Sequence, residues 1–409
     1  MYPIMRILHI IASFNPVTGG PAEAIRNIIL EYNKLDIKAE VVCLDKPESL
    51  SLGPLPYDVH ALGHTNSVWF YSPNLTTWVK ANIDRFDAVI IHGLWLYPSY
   101  AVSNVLQSLR TESVDGQGLR KVPPMFVFPH GMLDPYFQRS VQRRLKAARN
   151  WLYWKLIERR VINSADALLF TCETELLLAR QTFRPYKPKK EINVGYGIVE
   201  PPAFDTAMAD AFATACPAVA GRPYLLFLSR INYKKGVDLL INAYAEIAAA
   251  KPSLDDTFPQ LVIAGPGMDS AYGETIRQLV GKFPILDGLI HFPGMLTGDA
   301  KWGAIYGCEA FALPSHQENF GIAVAEALAC GKPVLISDQV NIWREIMQGK
   351  GGIISDDTLN GTQRMLEQWL CMSPAEQQQM GTNARSVFET YFRMEHVIHR
   401  LNTVFESMT

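Results

Sequence analysis

Short, continuously apolar runs recur along this chain, each followed by a longer stretch with helical spacing, and this alternation restricts the fold more than any other feature. Strands that read apolar throughout belong to parallel sheets covered by helices on both faces. The first half offers Met5–Ser13, Ala39–Leu44, Ala88–His92, Met125–Pro129 and Ala167–Thr171. From Arg184 to Arg222 the pattern is broken by PYKPKK, by GYGIVEPPAF and by an alanine-rich stretch, which read as a crossing between domains. Alternation resumes at Tyr224–Leu228, Leu261–Ala264, Leu289–Phe292, Ala310–Leu313 and Pro333–Ile336. A chain of 409 residues exceeds one ordinary core, so two domains are expected. They are residues 1–205, closed by a C-terminal helix over 391–408, and residues 206–390. The fold class is α/β: two Rossmann-like parallel-sheet domains facing a cleft.

Composition removes several function classes. Hydrophobic content of 48%, charged content of 19% and a net charge of -2 describe a globular chain with no global pull toward nucleic acid. No stretch reaches the ~18 apolar residues of a membrane span. The opening MYPIMRILHIIAS reads as a first buried strand and not as a signal peptide. Six scattered cysteines without a CxxC read as buried thiols of a reducing, cytoplasmic compartment.

In doubly wound sheets, ligands bind beyond the carboxyl ends of the strands. After the first strand comes Asn15-Pro-Val-Thr-Gly19-Gly20-Pro21, a turn whose glycines let backbone approach a ligand. It is not a GxGxxG, so a dinucleotide oxidoreductase lacks its main signature. The next ends carry His92-Gly93 and His130-Gly131. His130 reads as functional, and His92 fits a structural or a functional role equally. Residues 136–160 carry eight Lys/Arg against one Glu, interleaved with Trp151, Tyr153 and Trp154. Such a basic, aromatic helix suits an anionic membrane surface or packing into its own domain.

In the second half, Ser229-Arg230-Ile-Asn-Tyr-Lys234-Lys235-Gly236 follows a strand, and its cations suit a diphosphate. His291-Phe-Pro-Gly294-Met295 stands at another strand end, where backbone could read a base edge. The densest stretch is Leu313–Ser337, LPSHQENFGIAVAEALACGKPVLIS: strand end, polar loop, helix, glycine stop and strand. Glu318 falls in its loop and Glu326 about two turns into its helix. Eight helical rises of about 1.5 Å would separate the two by roughly 12 Å. That spacing suits an elongated ligand better than the roughly 5–9.5 Å of a glycosidase carboxylate pair. Between them, the N–H groups around Phe320 and Gly321 open a helix that can receive an anion.

With SRINYKKG, PSHQENFG and ALACGKPV in this order, the chain resembles the retaining GT-B glycosyltransferases of family four, the group 1 type, over nearly its full length, and within them an exopolysaccharide or envelope polysaccharide subgroup. The resemblance implies that Arg230 and Lys235 bind and neutralise the leaving nucleotide diphosphate. Glu318 would hold hydroxyls of the transferred sugar beside the main chain of Asn319, Phe320 and Gly321. Glu326 would hold the ribose, and Met295 would line the base. Gly19 and Gly20 would approach the phosphate or acceptor, with His130 near the donor sugar. It further implies a nucleotide-sugar donor with UDP-glucose foremost, no metal or other cofactor, and a glycan or polyprenyl-diphosphate-linked acceptor, reached through peripheral membrane contact by 136–160. The alternatives on this fold are a non-catalytic nucleotide-sugar-binding protein and a GT-B epimerase or hydrolase. Two departures from the pattern stand out: Gly195-Tyr196-Gly197 replaces an Asn-Gly, and Asn319 replaces a glycine.

Overall fold

The structure is a computed structural model that describes residues 5–15, 20–50, 55–65, 67–114, 121–139, 144–251 and 254–408. The chain divides into two compact units, one running to Gly197 and taking up the segment from Met394 on, the other spanning Ile198–Arg393.

The first unit is built on seven strands: β1 (Arg6–Ile11), β2 (Lys38–Cys43), β3 (Val59–Ala61), β4 (Ala88–His92), β5 (Met125–Phe128), β6 (Ala167–Phe170) and β7 (Glu191–Asn193). They lie in the order β3-β2-β1-β4-β5-β6-β7, so the winding reverses between β1 and β4. The second unit repeats the plan with β8 (Tyr224–Leu228), β9 (Gln260–Ala264), β10 (Ile290–Gly294), β11 (Ala310–Leu313), β12 (Val334–Ser337) and β13 (Gly352–Ser355). Their order is β10-β9-β8-β11-β12-β13, with the reversal between β8 and β11. The pairings in both sheets are parallel, as the apolar runs demanded.

Each face of the first sheet has its own core. Leu8, Ile10, Val89, Ile91 and Val127 point to one side, where helices Pro73–Asn82 and Tyr97–Val114 cover them. Ile7, Ile11, Ile90, Phe126 and Phe128 point to the other. There helix Gly20–Asn33 packs beside the C-terminal helix Met394–Glu406, which contributes Val397, Ile398, Leu401 and Phe405.

Four expectations change. The stretch assigned to a crossing holds β7 and a helix, Thr206–Ala215, capped by the Asp205 carboxylate. The alanines there pack a helix and do not form a linker. The basic segment is helical but not regular α-helix throughout: Arg144–Tyr153 runs through a π-turn, Trp154–Glu158, straight into Arg159–Ser164, and Tyr136–Arg139 is helical as well. The last helix begins at Met394, because Arg393 is extended and bridges to Ile198. Finally, Cys371 is exposed and Cys330 partly so, whereas the other four cysteines are buried thiols.

Candidate functional site

The turn after β8 sits beside the loop after β11, at the winding reversal of the second sheet. Arg230, the second residue beyond β8, is exposed. Lys235 closes a single 3-10 turn, Tyr233–Lys235, and is buried. Gly236 then takes a left-handed backbone (φ 67), and a Cβ there would stand 2.0 Å from the Pro314 carbonyl oxygen. Only glycine lets the β8 turn come this close to the β11 loop. A second close approach holds the same turn from the other side. Gly265 has φ 143, and a Cβ on it would meet the Ser229 oxygen at 1.9 Å.

The consequence is an ion pair between the Lys235 ammonium and the Glu318 carboxylate. Burial alone would raise the Glu318 pKa. The charge and hydrogen bond of Lys235, the charge of Lys234 and the Asn319 N–H outweigh that and hold it below the ordinary carboxylate value. The backbone of Glu318 is fixed as well. Its N–H donates to the Gln339 carbonyl (2.9 Å) and its carbonyl accepts from the Asn341 N–H (3.0 Å). Asn319, where the family pattern has glycine, accepts from the Asn341 side chain at 3.4 Å.

Beyond it, Phe320 is buried edge-to-face against Phe392, with ring centroids 5.4 Å apart. Gly321 (φ 81) starts helix Ile322–Ala329 and offers no side-chain cap. The leading amides are therefore not taken up by a capping side chain, which suits an anion. Glu326 is the fifth residue of this eight-residue helix, little more than one turn in and not two. It accepts from the Lys301 ammonium at 2.6 Å. Met295, just beyond β10, is 69% exposed.

The remaining predicted residues lie in the first unit. Gly19 is outside the described residues, while Gly20 is the first residue of helix Gly20–Asn33 and its carbonyl accepts from the Tyr196 hydroxyl (2.9 Å). That contact, with Gly197 packed where a Cβ would meet the Met394 Cα at 2.5 Å, gives the Gly-Tyr-Gly departure a structural basis. His130 follows β5 with a left-handed backbone (φ 50) and lines a small cavity with Ala24, Ile28, Gly195, Tyr196 and Val397.

Sequence reasoning missed four groups. Lys301 as the partner of Glu326 carried no signal, since it is distant in sequence and lies in a helix of its own. Glu175 receives the N–H groups of Thr171 and Gly131, the latter next to His130; its place at the start of a helix after β6 was readable. Glu158 is buried in the π-turn and accepts from the Trp95 N–H at 3.3 Å. His9 lies inside β1, hidden in an apolar run. Among the described residues, no group of three or more His, Cys, Asp or Glu is arranged to hold a metal ion. No helix among them is long and apolar enough to cross a membrane.

Two tandem doubly wound sheets of this order define the GT-B fold. Residues 215–387 match the family model described as "Glycosyl transferases group 1", and residues 19–190 the "Glycosyl transferase 4-like domain". Through these two domains the chain belongs to the group 1, family four glycosyltransferases. Among solved structures, a sucrose-phosphate synthase from Thermosynechococcus elongatus superposes with a TM-score of 0.72 at 18% identity, covering 98% of each chain. Anabaena HepE in complex with UDP-glucose gives 0.70 at 16% identity, covering 98% of this chain and 100% of that one. In sequence, the "D-inositol 3-phosphate glycosyltransferase" of Kineococcus radiotolerans is 26% identical over 252 residues, 56% of this chain and 54% of that protein. The matches span between 30% and 54% of the length of the curated relatives.

Proposed function

We propose that this chain is a retaining glycosyltransferase that moves a hexose from a nucleotide diphosphate sugar, with UDP-glucose as the leading donor. The observation that carries the reading is the meeting of the Lys235 turn with the Glu318 loop where the second sheet reverses its winding. In such sheets this crevice is the ligand site. The neighbouring fold of HepE, solved with UDP-glucose, supports the choice of donor.

In this reading the Lys235–Glu318 pair is the resting state of the site. An arriving diphosphate takes the Lys235 ammonium and the exposed Arg230 guanidinium, and Glu318 turns to the hydroxyls of the sugar. The main chain at Asn319–Gly321 meets the phosphate, Glu326 holds the ribose with Lys301 behind it, and the segment at Met295 lies along the base. The family resemblance assigns His130 to the transferred sugar, and Gly19 and Gly20 to the phosphate or acceptor.

As the bond from the anomeric carbon to the diphosphate breaks, negative charge grows on the leaving oxygen. Fixed cations that meet that charge contribute the largest catalytic effect in sites of this kind. They do so here without a metal. The acceptor hydroxyl attacks on the face the diphosphate leaves, a phosphate oxygen takes its proton, and the anomeric configuration is kept.

For the acceptor, the exposed Leu145, Trp151, Leu152 and Leu156 beside Arg144, Lys146 and Lys155 support a lipid-linked glycan met at a membrane surface, as in exopolysaccharide or envelope polysaccharide assembly. The protein then works in the cytoplasm, peripheral to the membrane. A second reading, a soluble phosphorylated acceptor, is favoured by the curated relatives named for D-inositol 3-phosphate.

The test is release of nucleoside diphosphate from a panel of nucleotide sugars, with and without acceptor, followed by NMR of the product's anomeric centre. Turnover with retention supports the reading, and Lys235→Ala should lower kcat at least ~100-fold. Release from no donor, an inverted product, or near-wild-type turnover by Lys235→Ala would overturn it.

A further inference from the structure

Three histidines form a continuous hydrogen-bonded column through the first unit. His9 Nδ1 lies 2.9 Å from His92 Nε2, and His92 Nδ1 lies 2.9 Å from His130 Nε2. The strand register creates the column. His9 stands opposite Ile90, two residues before His92, and His92 stands opposite Phe128, two residues before His130. Each step therefore moves one strand across and two residues along, which keeps all three rings on one sheet face. The rings lie edge to edge and close to coplanar, with centroids 5.2 Å apart in both pairs. Phe128 lies against His130 at 4.5 Å and 6°.

Each neutral imidazole carries one N–H, so the column can point in only two directions. If the hydrogens run from His9 to His130, both contacts are made and His130 keeps a hydrogen on Nδ1. If they run the other way, the last hydrogen sits on His9 Nε2. That atom is buried and finds no hydrogen-bond partner among the described residues. A buried donor without an acceptor is costlier than a buried lone pair without a donor, and is rarer in native proteins. The first direction is therefore the stable one.

We propose that His9 and His92 are positioning residues that fix His130 in its Nδ1–H tautomer, so that it offers a hydrogen-bond donor to the sugar being transferred. The proposal rests on the reading that His130 stands at that sugar. The column stays neutral because burial disfavours charge throughout. Burial lowers His9 and His130 to about 3; His92 is held well below its ordinary value by burial first, then by its two neighbours. The left-handed backbone of His130 is held between the column, Phe128 and the Gly131 N–H bound to Glu175. A strained residue persists only where its surroundings fix it so fully.

The experiment uses the full chain labelled with 15N-histidine. Long-range 1H–15N correlations report each ring's tautomer directly, and the signals are assigned by single substitutions. Nδ1–H on His9, His92 and His130 is expected; Nε2–H on His130 overturns the proposal. Kinetics separates positioning from packing through His92. His92→Phe keeps an aromatic ring in place and loses the hydrogen bonds, whereas His92→Asn loses the ring and can still donate to His130. We expect kcat to fall about tenfold in His92→Phe, one hydrogen bond's worth, with donor KM nearly unchanged and most of the loss recovered in His92→Asn. Equal losses in the two variants, or a smaller loss in Phe, overturn the proposal. Should His130→Ala keep full turnover although the tautomers are as expected, the placement of His130 at the sugar fails and the catalytic role with it. Reversed tautomers with an inactive His130→Ala leave that placement standing and remove only the column's role.

Discussion

Replacing Lys235 by methionine tests how the β8 turn and the β11 loop hold each other. The Lys235 side chain is 6% exposed and that of Glu318 20%, so the substitution strands a carboxylate that water barely reaches. Breaking a buried pair from one side costs ~3–5 kcal/mol. The residual exposure of Glu318 places the expected loss at the lower end, about 3 kcal/mol. For a domain of this size each kcal/mol lowers Tm by ~2–4 °C, so the transition of the second unit should fall by about 6–12 °C. Removing both charges, as in Lys235→Met with Glu318→Leu, should restore most of it, since an apolar pair of similar volume is near neutral in such places. The pH dependence supplies an independent sign. In the native protein the Glu318 pKa is depressed, so its contribution is present above the unfolded carboxylate value and is lost as pH falls through the folded one. In Lys235→Met burial dominates and raises that pKa. The carboxylate then costs stability at neutral pH, and acidification recovers it. Calorimetry on the ligand-free protein from pH 4 to 8 reads both effects. A loss below ~1 kcal/mol, or a double variant no better than the single one, would refute the coupling.

Further outcomes follow from other sites. Burial lifts the Glu158 carboxyl to about 7, against hydrogen bonds from Ser99 and the Trp95 N–H that favour its charge. Its protonated form therefore contributes stability that is complete below 4.5 and lost as pH rises through about 7. Glu158→Gln should flatten that decline in a pH series of thermal melts. Gly265→Ala would place its Cβ on the Ser229 oxygen and should cost well above the ~1–2 kcal/mol of a left-handed alanine. Gly288→Ala, also left-handed (φ 70) but facing open space, should cost only that, and calorimetry of the pair separates collision from backbone strain. Sedimentation with vesicles should show binding to anionic but not zwitterionic lipid, released by salt, and weakened in Leu152→Ser/Leu156→Ser, whose side chains are 53% and 60% exposed.

The strands that could be read in sequence are those buried on both faces. Ala88–His92, Tyr224–Leu228 and Ala310–Leu313 were expected within the bounds the structure gives, because every residue in them is apolar or closes the run. The strands that escaped are β3 and β7, each three residues long, and β13, all at sheet edges. Each has too few apolar residues to stand out from its surroundings. The loop-and-helix stretch around Glu318 was legible because polar residues, glycine and helix lie consecutively. The partners of its charges were not: Lys301 is 25 positions from Glu326. His9 was hidden for a related reason. A histidine within an apolar strand becomes informative only when register sets it diagonally before another.

The helix Met394–Glu406 supplies six buried side chains to the first unit, although the whole second unit precedes it in the chain. At about 1.5–3 kcal/mol per buried apolar side chain, this is on the order of 10 kcal/mol of burial that the first unit lacks during synthesis. A ribosome therefore releases the second unit complete while the first still exposes Ile25, Ile29 and the nearby sheet face to the surroundings. The unit made first is finished last. A stop codon at Met394 would spare every group discussed in the second unit and still leave the first one open.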